Sequence, residues 1–230
     1  MEKWNGKKKA ITFSFDDGIL QDIRAIEILN KYGLKATFNI STGFLGTTND
    51  LFRNNRFVYH NKVRADQLKT SYEGHEVAVH GFTHPDLRQL SDLEVIEQVE
   101  KDRKILEILT GQEVVGMAYP FGFYDERIAD ILAKHTPIQY ARTVNSTYNF
   151  DLQTELLTFH PSIQETDAKL FEVAKQFLDL KTDKPQLFYV WGHTFEMDAE
   201  LISWEKFEDF CKFVSGKDDI FYGTNKEVLL

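Results

Sequence analysis

One cysteine in 230 residues, Cys211, makes a disulfide framework within the chain impossible. It lies in the amphipathic stretch "SWEKFEDFCKFVSGK", which assigns it to the buried side of a helix rather than to a nucleophile. No apolar run reaches the roughly 18 residues of a membrane helix, so no membrane partner is expected. The opening "MEKWNGKKKAITF" has no apolar h-region. A cytoplasmic protein is expected as the sequence stands, or an extracellular or periplasmic one if a leader has been removed. Basic charge is also scarce: 27 Lys and Arg face 36 Asp and Glu, a net charge of -9. Without a basic stripe, nucleic acid is excluded as a partner. The one basic run, Lys7-Lys8-Lys9, reads as a solvated lead-in. Internal repeats, low-complexity tracts and linkers are absent too, and the length fits a single domain over 1–230.

What is present is an ordinary globular composition, 42% hydrophobic and 27% charged, in which strand and helix patterns alternate. Residues 10–15 alternate as a strand rich in β-formers. A helical stretch follows and stops at Gly33. "KATFNI" is a second strand, 43–63 a long polar loop or lid, and "RADQLKTSYE" a helix. "HEVAVH" is a third strand. Ser91-Asp92-Leu93-Glu94 is a capping box that opens a helix stopped by Gly111. "EVVGMAY", "IQYARTV", "ELLTFH" and "QLFYVWG" are strands four to seven, separated by helical "DERIADILAKH" and "DAKLFEVAKQFLDL". The helix around Cys211 and a short extended "DIFYG" close the chain. Strands separated by helices predict an α/β fold with a parallel sheet. Seven or eight such units favour a distorted (β/α) barrel, with an open doubly wound sheet as the other arrangement.

The polar and titratable residues collect at strand ends. Asp16 and Asp17 follow strand one, and His80 and His84 follow strand three. Tyr119–Gly122 follows strand four. Arg142 lies near the end of strand five, His160 ends strand six, and His193 follows strand seven. In a parallel barrel all of these converge on the face where barrel enzymes build their sites. Any one has a bland reading: an Asp-Asp-Gly turn, two exposed histidines, a helix-capping histidine. Together they match a role set. Two histidines four apart and a carboxylate can hold one divalent metal with open positions. Such a metal brings water towards a pKa of about 7. A second acid can take the water's proton, and a separate histidine can protonate a leaving group. Asp16, Asp17, His80, His84 and His193 are the parts on hand. Iron(II) oxygenases use the same ligand types, but on β-sandwich-like barrels rather than on alternating strands and helices. His60 and His75 read as surface residues, and His135 as the end of a helix.

These residues carry a family resemblance over nearly the whole chain. The sequence resembles the polysaccharide deacetylases, the NodB-homology group of carbohydrate esterase family 4. "SFDDG" is similar to that family's T-F-D-D-G motif, with Ser14 for Thr. "HGFTH" is similar to H-[ST]-x-x-H, with Gly81 at the hydroxylated position. "AYPFG" and "FYVWGH" resemble its third and fifth motifs. The resemblance implies a distorted, TIM-barrel-related (β/α) barrel and a hydrolase that removes acetyl groups from N-acetylated, or O-acetylated, carbohydrate. It implies Asp17, His80 and His84 as ligands of a divalent metal, zinc first, with cobalt or nickel as substitutes. Asp16 would be the general base, His193 the general acid, and the Phe121 N–H an oxyanion donor. The family's third motif starts with an arginine, where this chain has Ala118; Arg142 is the candidate to hold the base instead. The family's Asp-rich fourth motif is not recognisable. Pro120, Tyr124 and Trp191, with Phe123 and Phe195, are candidates for lining the substrate. The non-enzyme alternative is a retired deacetylase scaffold that only binds sugar.

Overall fold

The computed structural model describes residues 3–230. Its spine is β1 (Lys9–Asp16), buried at every position. Alternate residues of a strand face opposite sides, and β1 uses both. Ile11, Phe13 and Phe15 point to the outer core, where Phe13 and Phe15 pack edge-on against Phe210 and Phe207. Thr12, Ser14 and Asp16 point the other way, into hydrogen bonds with Asn225 and Asn39. The inward side of β1 from Thr12 onward is therefore polar and hydrogen-bonded, which is how buried polar groups are tolerated.

Around β1 stand α1 (Gln21–Lys31), β2 (Ala36–Ile40), β3 (Asp50–Arg53), β4 (Arg56–Tyr59), α2 (Leu68–Ser71), β5 (Glu76–Val79), α3 (Asp92–Thr110), β6 (Gly116–Ala118), α4 (Glu126–His135) and β7 (Tyr140–Arg142). The chain continues through β8 (Ile163–Gln164), α5 (Leu170–Asp179), β9 (Gln186–Gly192), α6 (Phe195–Asp198), α7 (Trp204–Val214), β10 (Ile220–Tyr222) and α8 (Asn225–Leu229). The main sheet runs β7-β6-β5-β2-β1-β9-β8, with β10 also on β1. Every pairing in it is parallel. β9 takes one edge of β1 along most of its length. β10 pairs with the start of the other edge and β2 with its end. The ladder does not close between β7 and β8, so the expected distorted (β/α) barrel is an open one, with seven strands in the path and β10 as the eighth.

Local signals stop the helices where expected. Ser91 and Glu94 form the reciprocal capping box of α3, and Gly111 ends it in the left-handed conformation at φ 75°. Cys211 is fully buried on α7.

Four expectations need correction. The loop at 43–63 contains the antiparallel hairpin β3–β4, turned by Asn54 and Asn55, both at positive φ. Asparagine tolerates that conformation in tight hairpin turns. The sixth strand is not "ELLTFH": Leu156–Thr158 is a short 3-10 turn. Only Phe159 bridges to Arg142 there. Pro161, which has no N–H to give a ladder, precedes the actual strand β8. Lys9 is not solvated: it is 5% exposed, and its ammonium donates to the Leu178 carbonyl and pairs with Asp219. His60 and His75 are not surface residues, being 8% and 4% exposed. His75 Nδ1 accepts from the Ala36 N–H, while its Nε2 meets Asn30. Burial pushes its pKa down to about 4.

Candidate active site and metal centre

A cleft of about 970 Å³ opens at the C-terminal ends of the strands. Its floor carries Asp16, Asp17, His80, His84 and His193, and its apolar lining includes Phe44, Leu51, Phe121, Phe123, Trp191 and Phe195. Trp191, Phe123 and Phe195 thus lie where the sequence reading put them. Tyr124 and Pro120 are not among the lining residues; Tyr124 stacks on Tyr119 at 5.3 Å instead. His160 is also outside the cleft, held by Thr143 Oγ1 at 2.6 Å.

How two consecutive acids reach one cleft is a matter of backbone. Asp16 ends β1 pointing inward. Asp17 then turns at φ 86°, and Gly18 at φ 61°. Both are left-handed conformations, rare for a residue with a Cβ. A Cβ on Gly18 would also press on the Ile40 side chain. The reversal brings Asp17 back towards the space that Asp16 faces. His84 is recovered in a similar way: its N–H donates to the Gly81 carbonyl across a tight turn, and its own φ is 50°.

Asp17, His80 and His84 place one donor atom each within 4.8 Å of one another. His80 Nδ1 is committed to the Ala118 carbonyl at 2.8 Å. That fixes the tautomer and leaves Nε2 with a lone pair, the arrangement metal-ligating histidines show. Nε2 lies 3.1 Å from His84 Nε2 and 3.9 Å from Asp17 Oδ1. Two nitrogens bound at ~2.0–2.1 Å to a tetrahedral ion stand about 3.3 Å apart. Burial lowers the pKa of both rings, that of His84 to about 4, so both are neutral as ligands must be. The donor set therefore fits a divalent metal. The loop that carries His80 is braced by Asp102 of α3, whose carboxyl accepts from the His80 N–H and from both the N–H and hydroxyl of Thr42.

Asp16 is 2% exposed, and both its oxygens are held by Arg142, whose guanidinium also lies over Trp191. Asn39 donates to Oδ1 at 2.9 Å. Burial alone would raise its pKa; the charge and hydrogen bonds of Arg142 and the charge of His193 outweigh that and keep it ionised. Arg142 thus reaches Asp16 from β7.

His193 follows β9, with Nε2 3.9 Å from Asp16 Oδ2 and Nδ1 3.5 Å from Glu196 Oε2. Burial would lower its pKa, but Glu196 and the two aspartates raise it to about 9. The Glu165 carboxyl accepts the His193 N–H. Burial and the charge of Glu196 keep Glu165 protonated, while His193 and Gln164 keep Glu196 ionised. Sequence reading missed both glutamates. It also missed His60 and Lys62, which reach Asp17 from the segment after β4. A signal for that segment was present: Asn54-Asn55 between "DLFR" and "RFVY" is a hairpin signature. Nothing local marks Glu165 or Glu196, whose partners lie on other elements.

The comparisons agree with this architecture. The family model described as polysaccharide deacetylase matches residues 3–140. The peptidoglycan-N-acetylglucosamine deacetylase PgdA of Listeria monocytogenes is 28% identical over 124 residues, which cover 53% of this chain and 23% of that protein. Chitin deacetylase 1 of Cryptococcus neoformans var. grubii is 28% identical over 102 residues, 41% of this chain and 22% of that one. The chain spans less than half the length of the curated relatives it matches. Among solved structures, the Streptococcus pyogenes deacetylase PplD in complex with acetate superposes with a TM-score of 0.53 at 25% identity, covering 64% of this chain and 61% of that one. The family 4 pseudoenzyme BA3943 of Bacillus anthracis gives 0.59 at 19% identity over 97% of this chain and 66% of its own, a likeness of fold alone. On the family match, which covers more than half of it, this chain belongs to the polysaccharide deacetylase family.

Proposed function

We propose that the 230 residues form one catalytic domain that hydrolyses the acetamide of an N-acetylated carbohydrate, releasing acetate and a free amine. The observation that carries this is the meeting of three neutral or anionic metal donors with an ionised Asp16 and a protonated His193 in one cleft. Asp17, His80 and His84 would hold the ion, zinc by the chemistry of two imidazoles and a carboxylate, with cobalt or nickel as substitutes. When bound, the ion supplies Lewis-acid polarisation and makes water more acidic.

The chain's own groups do the rest. Asp16, fixed by Arg142 and Asn39, takes a proton from the attacking water. The Phe121 N–H, on a backbone held at φ 58°, donates to the carbonyl oxygen as it gains charge. A donor so placed is worth about 2.7–4 kcal/mol. His193, kept charged by Glu196, gives its proton to the departing nitrogen. Phe121 and Phe123, both exposed, offer rings against which sugar rings can stack, and Trp191 lines the cleft beneath Arg142. The relatives named for peptidoglycan and chitin support an acetylated glycan as substrate class.

The test is acetate release from chitin oligomers, peptidoglycan fragments and O-acetylated sugars with zinc or cobalt supplied. Asp16→Asn should lower kcat by about 10²–10⁴-fold while ion binding persists. Sugar binding without acetate release from any of them would refute the reading in favour of a retired scaffold.

A further inference from the structure

The second oxygen of Asp17 is already taken. Oδ1 faces the histidine pair, 3.9 Å from His80 Nε2. Oδ2 lies 3.0 Å from His60 Nε2. A carboxylate oxygen and a bare nitrogen lone pair would repel at that distance, so His60 Nε2 carries the proton and donates it to Oδ2. Its contact with Lys62 at 3.5 Å is then proximity, because the ammonium is directed to the Asp17 carbonyl at 3.0 Å. His60 is 8% exposed and packs edge-on against Phe195, which fixes its ring plane.

The segment carrying His60 is tied to the Asp17 turn by the residues that follow each of them. Val63 donates to the Gly18 carbonyl, Leu20 to the Asn61 carbonyl, and Ile19 bridges Lys62. The His60 N–H itself donates to Asn49, across the base of the hairpin. The register between His60 and Asp17 is therefore set by backbone, not by the pair alone.

We infer that His60 is a positioning residue that occupies Oδ2 of Asp17 so that the carboxylate offers a metal only Oδ1. This rests on the reading of Asp17, His80 and His84 as metal ligands. A carboxylate whose second oxygen is hydrogen-bonded keeps its orientation when the ion leaves. One that is freed rotates, and gains a two-oxygen mode that alters the coordination number. The segment that follows the β3–β4 hairpin thereby acts on the candidate metal centre through His60, beside Lys62, which holds the Asp17 carbonyl and lies 3.7 Å from Oδ1.

The experiment is zinc affinity by chelator competition, with the visible absorption of the cobalt-loaded chain as a second readout of coordination. His60→Ala should weaken zinc binding by about 10–100-fold, as loss of an outer-shell partner of a ligand does, and change the cobalt spectrum. His60→Gln, which keeps a side-chain N–H donor, should recover most of the affinity and the wild-type spectrum. Equal affinity in wild type and His60→Ala, or a Gln variant no better than Ala, overturns the inference while leaving the ligand set standing. A wild-type chain that binds no zinc refutes the ligand set as well. Melting of the ion-free variants separates a folding defect from a lost ligand partner.

Discussion

At the scale of the residue, the site works by setting neighbouring groups to opposite charge states. Asp16 is buried and Asp17 partly so, yet both stay ionised because cations and donors surround them. His193 is pushed the other way. Its raised folded pKa means that its contribution to stability is complete below its unfolded value of about 6.5 and is lost as pH rises through about 9. Nuclear magnetic resonance of the ion-free chain should show its ring titrating near that upper value. Glu196→Gln removes the nearest counter-charge and should move the midpoint towards the ordinary histidine range. A midpoint unmoved in that variant would exclude Glu196 as the cause. Asp16, Asp17, His80, His84 and His193 were all legible in the sequence because each follows a strand whose apolar run is plain. His60, His75 and Lys9 were not. A buried polar side chain is explained by its partners, and theirs come from distant segments: Asp17 for His60, Ala36 and Asn30 for His75, Leu178 and Asp219 for Lys9.

At the scale of the element, β9 shows how tightly the proposed acid, His193, is seated. Gly192 has no Cβ, and one built there would fall on the Glu165 carboxyl. Gly192→Ala should therefore displace Glu165, free the His193 N–H and cost about 1–3 kcal/mol, as overpacking does. The expected signature in denaturant melts and assays is lower stability and lower kcat with zinc affinity unchanged, since none of the candidate metal ligands lies on β9. Long, apolar or alternating strands such as β1, β2, β5 and β9 were readable from composition. β3 and β4 were hidden by their arginines and asparagines: the hairpin buries Val58 and half-buries Leu51 against Phe195 and Ala199 but exposes Phe52, Phe57 and Tyr59. β8 has two residues, too few for any periodicity.

At the scale of the whole molecule, an ion that binds only the folded chain adds stability by mass action. At free zinc 100 times its Kd the gain is about 2.7 kcal/mol. For a chain of this length that is a Tm higher by about 5–10 °C. Chelation should abolish the increment, and Asp17→Ala should show none with or without zinc. A wild-type Tm indifferent to zinc and to chelator would contradict a metal centre. Barrel closure was not legible in advance. Strand count fits closed and open sheets alike, and the gap between β7 and β8 depends on the Pro161 region, where one bridge replaces a ladder.

The three candidate metal donors all come from the first 84 residues, whereas Arg142, Glu165, His193 and Glu196 come from beyond residue 141. The candidate ion donors and the proposed base, Asp16, thus share the first part of the chain, while the proposed acid and its supports come from the later part. Changes confined to the later half would then remove the proposed acid and leave the candidate ion donors in place, a short path from enzyme to receptor on one barrel.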